Sequence, residues 1–264
     1  MTKLRMIHNM ARSGSTLMCK CLGCMEHVVL LSELHPLGLN YFNPLKQAAD
    51  WFGLVETKDI LALKASGEVM YSDLIALIER RCAERGGLLV LRDWGHLDFT
   101  GIPFLTDPGY VPMLYEELRD RFEILRVATT RDPVAQWQSL IQLGIMREPL
   151  QSGALSLDQY LSGYRKYAEL CVQIGFVRYE DLLEDPGKTM RDFCQRLEIP
   201  FDPGFIDKWH AYETITGDVK NPRTSNVIKM PPPRPIPPAL REAFLANQDY
   251  RLACEMLGYP ALDA

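Results

Sequence analysis

The chain alternates short apolar runs with longer stretches of helical period. Residues 4–9, LRMIHN, and 28–32, VVLLS, read as buried strands on either side of a helical segment at 16–25. LLVLRD at 88–93 and FEILRVATT at 122–130 are stronger runs of the same kind, and IGFVRY at 174–179 is a further strand. Between them, 67–85 carries Val69, Leu74, Leu77 and Ile78 at helical spacing and stops at Gly86-Gly87. Helices are predicted at 133–146, with Pro133 in the first turn, at 156–172, at 187–198 and at 238–257; the Pro- and Gly-punctuated stretch 36–66 holds short ones. Strands alternating with helices predict an α/β protein, a three-layer α/β/α arrangement with a central, mostly parallel sheet.

At 264 residues this is one domain, 1–264, without internal repeats. The run PPPRPIPP, 231–238, reads as a stiff connector into the last helix, with a docking motif for a polyproline-binding module as the alternative. In a parallel sheet of this class, ligands bind beyond the carboxyl ends of the strands. The polar groups that follow the strands are Asn9 to Thr16, Glu33, Arg92 to His96, and Arg131, so all four are expected to face one crevice.

Composition narrows the ligand. Hydrophobic residues make up 47% of the chain, enough for a large core. The net charge of −5 argues against a general nucleic-acid surface, so an anionic ligand needs a local cluster of cations. No stretch approaches ~18 uninterrupted apolar residues, so no membrane span is expected. The N-terminus shows no secretory h-region, and seven cysteines, an odd number, fit reduced thiols in the cytoplasm. Cys19, Cys21 and Cys24 fall on one helix and read as small packing groups; nothing at zinc spacing follows them, and no metal site is expected.

The stretch NMARSGSTLMCK, 9–20, carries the most chemistry. A strand, then Ser13-Gly14-Ser15-Thr16, then a helix makes a nest of backbone N–H groups at a helix N-terminus, a ready anion site. Gly14 lets the backbone approach closely, three hydroxyls add donors, and Arg12 adds a planar cation suited to phosphate or sulfate oxygens. The second glycine and the Lys-Ser/Thr ending of a nucleotide triphosphatase loop are absent. In TTRDPVAQWQSLIQ, 129–142, Arg131 leaves a strand and Ser139 follows eight residues on, two helical turns later. Taken alone, each of these features has an ordinary reading: a capped helix start, and a strand-end Arg paired with an acid such as Asp132.

Together, RSGSTLM and RDPVAQWQS resemble the sulfotransferase superfamily that uses 3′-phosphoadenosine-5′-phosphosulfate (PAPS), in particular its tyrosylprotein-sulfotransferase-like and bacterial branches. The resemblance implies a P-loop-containing nucleotide-binding fold. It also implies that Arg12, Ser13, Gly14, Ser15 and Thr16 bind the 5′-phosphosulfate, and that Arg131 and Ser139 bind the 3′-phosphate. VRYEDLLEDP, 177–186, resembles the family's strand and acidic turn, with Tyr179 near the nucleotide. RTSNVIKM, 223–230, resembles its late loop, with Lys229 as a nucleotide contact. The donor would be PAPS, the product PAP, and no loop-held metal is required.

Transfer to an acceptor hydroxyl or amine needs stabilisation of the leaving oxygen, a role for Arg12, and a general base. Glu33, 21 residues after Arg12, sits at the offset of the catalytic Glu in the tyrosylprotein branch and stands first. His96, in RDWGHLDF, is second because its offset from the strand is imperfect, and Asp93 is third. Arg92 either faces the sulfuryl group or pairs with Asp93 or Asp98. Tyr41, Phe42, Trp51, Phe52, Trp94, Phe99, Phe104 and Tyr110 fall in the predicted substrate wall and suit a small, apolar or aromatic acceptor. Without an export signal, protein sulfation is not expected. The rivals are a P-loop kinase of a small metabolite and a non-enzymatic PAP- or nucleotide-binding protein.

Overall fold

A computed structural model of the chain describes residues 2–65, 67–217 and 227–263. Five strands, β1 (Thr2–Asn9), β2 (Val28–Leu34), β3 (Leu88–Asp93), β4 (Phe122–Thr130) and β5 (Phe176–Arg178), form one sheet in the order β2-β3-β1-β4-β5. Every pairing is parallel, with Met6 of β1 between Leu91 of β3 and Arg126 of β4. The connection leaving β1 runs toward β2 on one side, and the connection leaving its neighbour β4 runs toward β5 on the other. Such a divergence opens a crevice beyond the strand ends. The loop after Asn9 and the turn after Thr130 both lie there.

Both faces of the sheet are covered, which is why its strands read as continuous apolar runs. Ile7, Leu30, Val90, Val127 and Val177 pack on one face against the helices Ser15–Gly23 and Pro186–Arg196 and the turn around Trp209. Leu4, Met6, Leu31, Leu89 and Leu91 face the other way, under the helices Pro44–Phe52 and Tyr71–Glu84. The same side continues over Ala128, where the long helix Leu157–Ile174 and the last helix, Gln248–Leu257, meet. The three-layer α/β/α arrangement is therefore the one the hydrophobic pattern predicts. All seven cysteines are free thiols, and Cys19 and Cys21 are buried packing groups of the first helix.

Three boundaries differ from the sequence pattern. The helix expected over 133–146 ends at Leu140; the chain resumes as a short 3-10 turn, Gly144–Met146, and a separate helix, Arg147–Ser152. The helix expected over 238–257 is two, Pro238–Ala246 and Gln248–Leu257. Asn247 takes an extended backbone between them, and its side chain accepts from the Tyr250 N–H, a capping interaction that starts the second helix. Finally, β2 runs on to Leu34, so Glu33 lies inside a strand, and its register against β3 shifts between Leu31 and Leu34. The Pro-rich stretch is held along the helix Pro133–Leu140: Gln138 Nε2 donates to the Pro235 carbonyl at 2.9 Å, and Arg234 donates to the Gln138 carbonyl and Gln142 Oε1.

One contact sets the distance between the long helix and the sheet end. A Cβ at Gly163 would lie 1.9 Å from the backbone oxygen of Phe99. Alanine is the better helix former by about 1 kcal/mol. Here, however, the neighbour is main chain and cannot rotate away. Gly163→Ala is expected to destabilise the fold by about 1–3 kcal/mol, read as a lower urea midpoint; unchanged or raised stability would show that the helix can shift without cost.

Candidate functional site

The loop after β1 is built around two left-handed residues, Arg12 (φ 66°) and Gly14 (φ 86°). Arg12 accepts this conformation at a cost; Gly14 needs it, and needs its missing side chain more. A Cβ at position 14 would stand 2.1 Å from the Tyr179 ring, so the ring lies flush on the loop backbone. The first helix begins at Ser15 with no side chain capping it. The Leu17 and Met18 N–H groups donate to the Gly14 carbonyl, and the N–H groups ahead of them, at the loop end of the helix, lie where an anion site forms. Behind the loop, the hydroxyls of Ser13 and Thr129 share a hydrogen bond at 3.0 Å, and both residues are fully buried.

The helix Pro133–Leu140 grips the loop from the side. Asp132 starts that helix by accepting from the Ala135 N–H. Gln136 Nε2 donates to the Ala11 carbonyl at 2.9 Å, Arg12 Nε donates to Ser139 Oγ at 2.9 Å, and Arg131 Nη1 donates to the Arg12 carbonyl at 3.3 Å. The Arg131 guanidinium sits 4.9 Å from the centroid of the Tyr179 ring. Among the described residues no carboxylate forms an ion pair with it, and its buried Nε has no hydrogen-bond partner. Arg12, Ser13, Gly14, Arg131, Ser139 and Tyr179 are thus brought into one cluster. Asp132 is occupied as a helix cap rather than by Arg131.

On the opposite flank stands Arg92, which is 1% exposed. Its Nη2 donates to Ser32 Oγ at 2.6 Å, to Thr216 Oγ1 at 2.8 Å and to the Thr216 carbonyl at 3.2 Å. Its Nη1 donates to Thr16 Oγ1 at 3.2 Å and Ser15 Oγ at 3.4 Å. Neither Asp93 nor Asp98 pairs with it; the carboxylate it meets is Glu33, at 3.5 Å. Glu33 has a left-handed backbone (φ 56°) where the register of β2 shifts, and its side chain remains 23% exposed. The loop hydroxyls, a buried cation and a partly exposed carboxylate therefore share one corner.

The other two carboxyl and imidazole candidates are placed differently. Asp93 is fully buried, and its two oxygens are engaged by His8 and by the N–H groups of Asn9 and Gly95. His96 is 3% exposed, on the short helix Gly95–Thr100, where its ring meets only Thr100 Oγ1. Burial lowers its pKa to about 4. Lys229 is exposed and follows Ile228, which packs against the core on the first helix's side; no hydrogen bond or ion pair among the described residues holds it. The preceding part of its motif, 223–226, lies outside the described residues.

The aromatic wall divides. Tyr41, Phe42, Trp94 and Phe104 form one cluster, with Tyr41 and Phe104 stacked at 5.3 Å and Trp94 edge-on to both. Trp94 is anchored at the end of the sheet, its N–H donating to the Leu34 carbonyl. Trp51 and Phe52 pack on each other, and Phe99 is a core residue against Tyr167. Sequence reasoning missed Thr129, Gln136, Ser32 and Thr216. Thr129 stands at a strand end, where the crevice rule would have found it, whereas Ser32 lies inside β2. Thr216, 124 residues from Arg92, carries no local signal. Among the described residues no group of three or more His, Cys, Asp or Glu side chains is placed to hold a metal, and no helix is long and apolar enough to cross a membrane.

No family model and no curated protein matches this sequence. Solved structures do. The sulfotransferase domain from the Synechococcus PCC 7002 olefin synthase aligns over 98% of this chain and 95% of its own, with a TM-score of 0.65 and 20% identity. The sulfotransferase domain from the curacin biosynthetic pathway aligns over 99% of both chains, with a TM-score of 0.65 and 17% identity. At these identities the likeness is one of fold, and it extends over nearly the whole chain.

The His96 environment has a measurable consequence. Between pH 6.5, the ordinary value, and about 4, the unfolded chain takes up a proton that the folded protein refuses. This residue's contribution to stability is therefore present above that window and is lost as pH falls through it, by up to about 1.4 kcal/mol per pH unit. Urea unfolding at pH 7 and pH 5 should show His96→Gln losing less stability on acidification than the parent; equal losses would mean the imidazole is protonated in the fold.

Proposed function

We propose that this protein is a sulfotransferase that moves a sulfuryl group from PAPS to a hydroxyl or amine of a small-molecule acceptor. The observation that carries the reading is the presence of guanidinium groups on opposite flanks of one phosphate-type loop, the buried Arg92 and the partly exposed Arg131, each with a buried, unpartnered Nε. A net-negative chain has placed two incompletely satisfied cations around an uncapped helix start. A ligand with anionic groups at two separated points fits that arrangement. The close approach allowed by Gly14, with the Tyr179 ring against it, fits the backbone of such a ligand.

In this reading Ser13 to Thr16 and Arg12 hold the 5′-phosphosulfate, while Arg131 and Ser139 hold the 3′-phosphate. Tyr179 packs beside the nucleotide, and Lys229 approaches from the late segment. PAPS supplies, when bound, an activated sulfuryl group whose departure leaves negative charge on the phosphate oxygen. Arg12 and the loop N–H groups are preorganised for that charge, an effect of ~3–4 kcal/mol per key donor in comparable sites. Glu33 is the base that takes the acceptor's proton: it is the partly exposed carboxylate in the corner, whereas His96 and Asp93 are enclosed. Arg92 orients Glu33 and faces the loop hydroxyls, so it serves the transferred group from the acceptor side. The partly exposed cluster of Tyr41, Trp94 and Phe104 supports a small apolar or aromatic acceptor, and cysteines outside any disulfide support a reducing, cytoplasmic setting.

Two experiments test this. PAP at 100 times its Kd should add about 2.7 kcal/mol to the protein's stability without magnesium, and Arg131→Ala should weaken PAP binding at least about ten-fold. Stabilisation by Mg-ATP and not by PAP would sink the assignment and favour a kinase. Glu33→Gln is expected to keep PAP affinity within about two-fold and to lose turnover with whichever acceptor the parent accepts; full turnover would return the base role to His96.

A further inference from the structure

Behind the loop, a chain of buried and part-buried polar groups crosses three adjacent strands. Arg126 of β4 donates through Nε to His8 Nε2 at 3.0 Å. His8 of β1 is wholly buried, and its Nδ1 lies 2.5 Å from Asp93 Oδ2 at the end of β3. Because a guanidinium N–H can only donate, His8 Nε2 must accept. Its proton therefore resides on Nδ1 and is given to Asp93. The imidazole is neutral, and its polarity is set by its neighbours.

Asp93 is the end point of this chain and the start of another. Its Oδ1 accepts from the Asn9 N–H at 3.0 Å and the Gly95 N–H at 3.1 Å. Asn9 is the last residue before the loop; Gly95 directly follows Trp94 and opens the short helix that carries His96. One carboxylate thus ties the root of the loop to the root of the aromatic wall. The space is closed to substitutes, since a Cβ at Gly95 would meet the Asn9 carbonyl at 2.8 Å and Asp93 Oδ1 at 3.2 Å. The His8 carbonyl is held independently by the Tyr167 hydroxyl at 2.8 Å, so the imidazole end of the chain has little room to adjust.

We propose that Arg126, His8 and Asp93 form a directional hydrogen-bond relay whose task is to position the loop of residues 10–14 relative to the Trp94–Thr100 segment. They are positioning residues: the relay touches no substrate and acts through the Asn9 and Gly95 amides. As a statement about nucleotide affinity it rests on the PAPS reading; as a statement about the loop it does not.

Direction makes it testable. In Asp93→Asn the side-chain oxygen can still serve Asn9 and Gly95, but its NH₂ then faces His8 Nδ1. The imidazole proton must move to Nε2, where it meets the Arg126 N–H, donor against donor. Arg126→Gln in the same chain offers a carbonyl oxygen at that point and lets the relay run in reverse. Asp93→Asn alone is expected to speed hydrogen exchange of the Asn9 and Gly95 amides and to weaken PAP binding at least about ten-fold. The double variant is expected to restore both to within about three-fold of the parent. A folded Asp93→Asn protein with parental exchange at both amides, or a double variant no better than the single, overturns the relay. Should the single variant not fold, the ¹⁵N spectrum of the parent's His8 decides: a proton on Nδ1 supports the relay, and one on Nε2 overturns it. A parent that does not bind PAP counts against the donor reading alone, and the amide exchange then rules on the relay.

Discussion

The site depends on a buried guanidinium that is held mostly by hydroxyls. Removing a cation from water costs several kcal/mol unless its protons are satisfied. Arg92 meets that demand with oxygens from β2, the loop and Thr216, and with only a distant carboxylate at Glu33. Two tight ion pairs at this point would have neutralised it. Hydroxyls satisfy the N–H groups without cancelling the charge, so the field of the cation survives in the crevice. The same logic applies on the other flank, where Arg131 lies over an aromatic ring and donates to a carbonyl. A chain with a net charge of −5 can hold cations around this crevice because Arg92 meets a single carboxylate, Glu33 at 3.5 Å, and Arg131 forms no ion pair among the described residues.

Much of this was legible in the sequence because it depends on local pattern. Apolar runs bounded by Gly and Asp mark β1, β3 and β4 to within a residue or two, since strands covered on both faces need no partner information to be recognised. The loop's residue types and the Arg131–Ser139 spacing named most of the cluster. What escaped depends on distant parts of the chain meeting. Thr216 and Ser32 converge on Arg92 only through the fold, and the Arg126–His8–Asp93 chain needs the parallel register of three strands. Glu33 was expected at a strand end; its left-handed backbone inside β2 arises from a register shift against β3, which no one-dimensional pattern records. The helix ends at Leu140 and Ala246 were overrun because the apolar period continues past the points where the chain turns.

The layout also separates two kinds of freedom. At the loop, Ala11 and Arg12 are hydrogen-bonded to Gln136, Ser139 and Arg131, and a ring packs on Gly14. At the aromatic cluster, Tyr41 is 60% exposed and packs against other rings, which slide past one another at little cost. The loop is thus a rigid cradle and the aromatic cluster an adaptable surface.

The contact between Gly14 and Tyr179 reaches beyond the site itself. These residues are 165 positions apart, yet the missing side chain of one is the space filled by the other. Any larger residue at position 14 demands a smaller one at 179, and the left-handed backbone forbids most choices even then. For anyone diversifying this protein, the two positions are coupled: a library that randomises position 14 alone will return glycine.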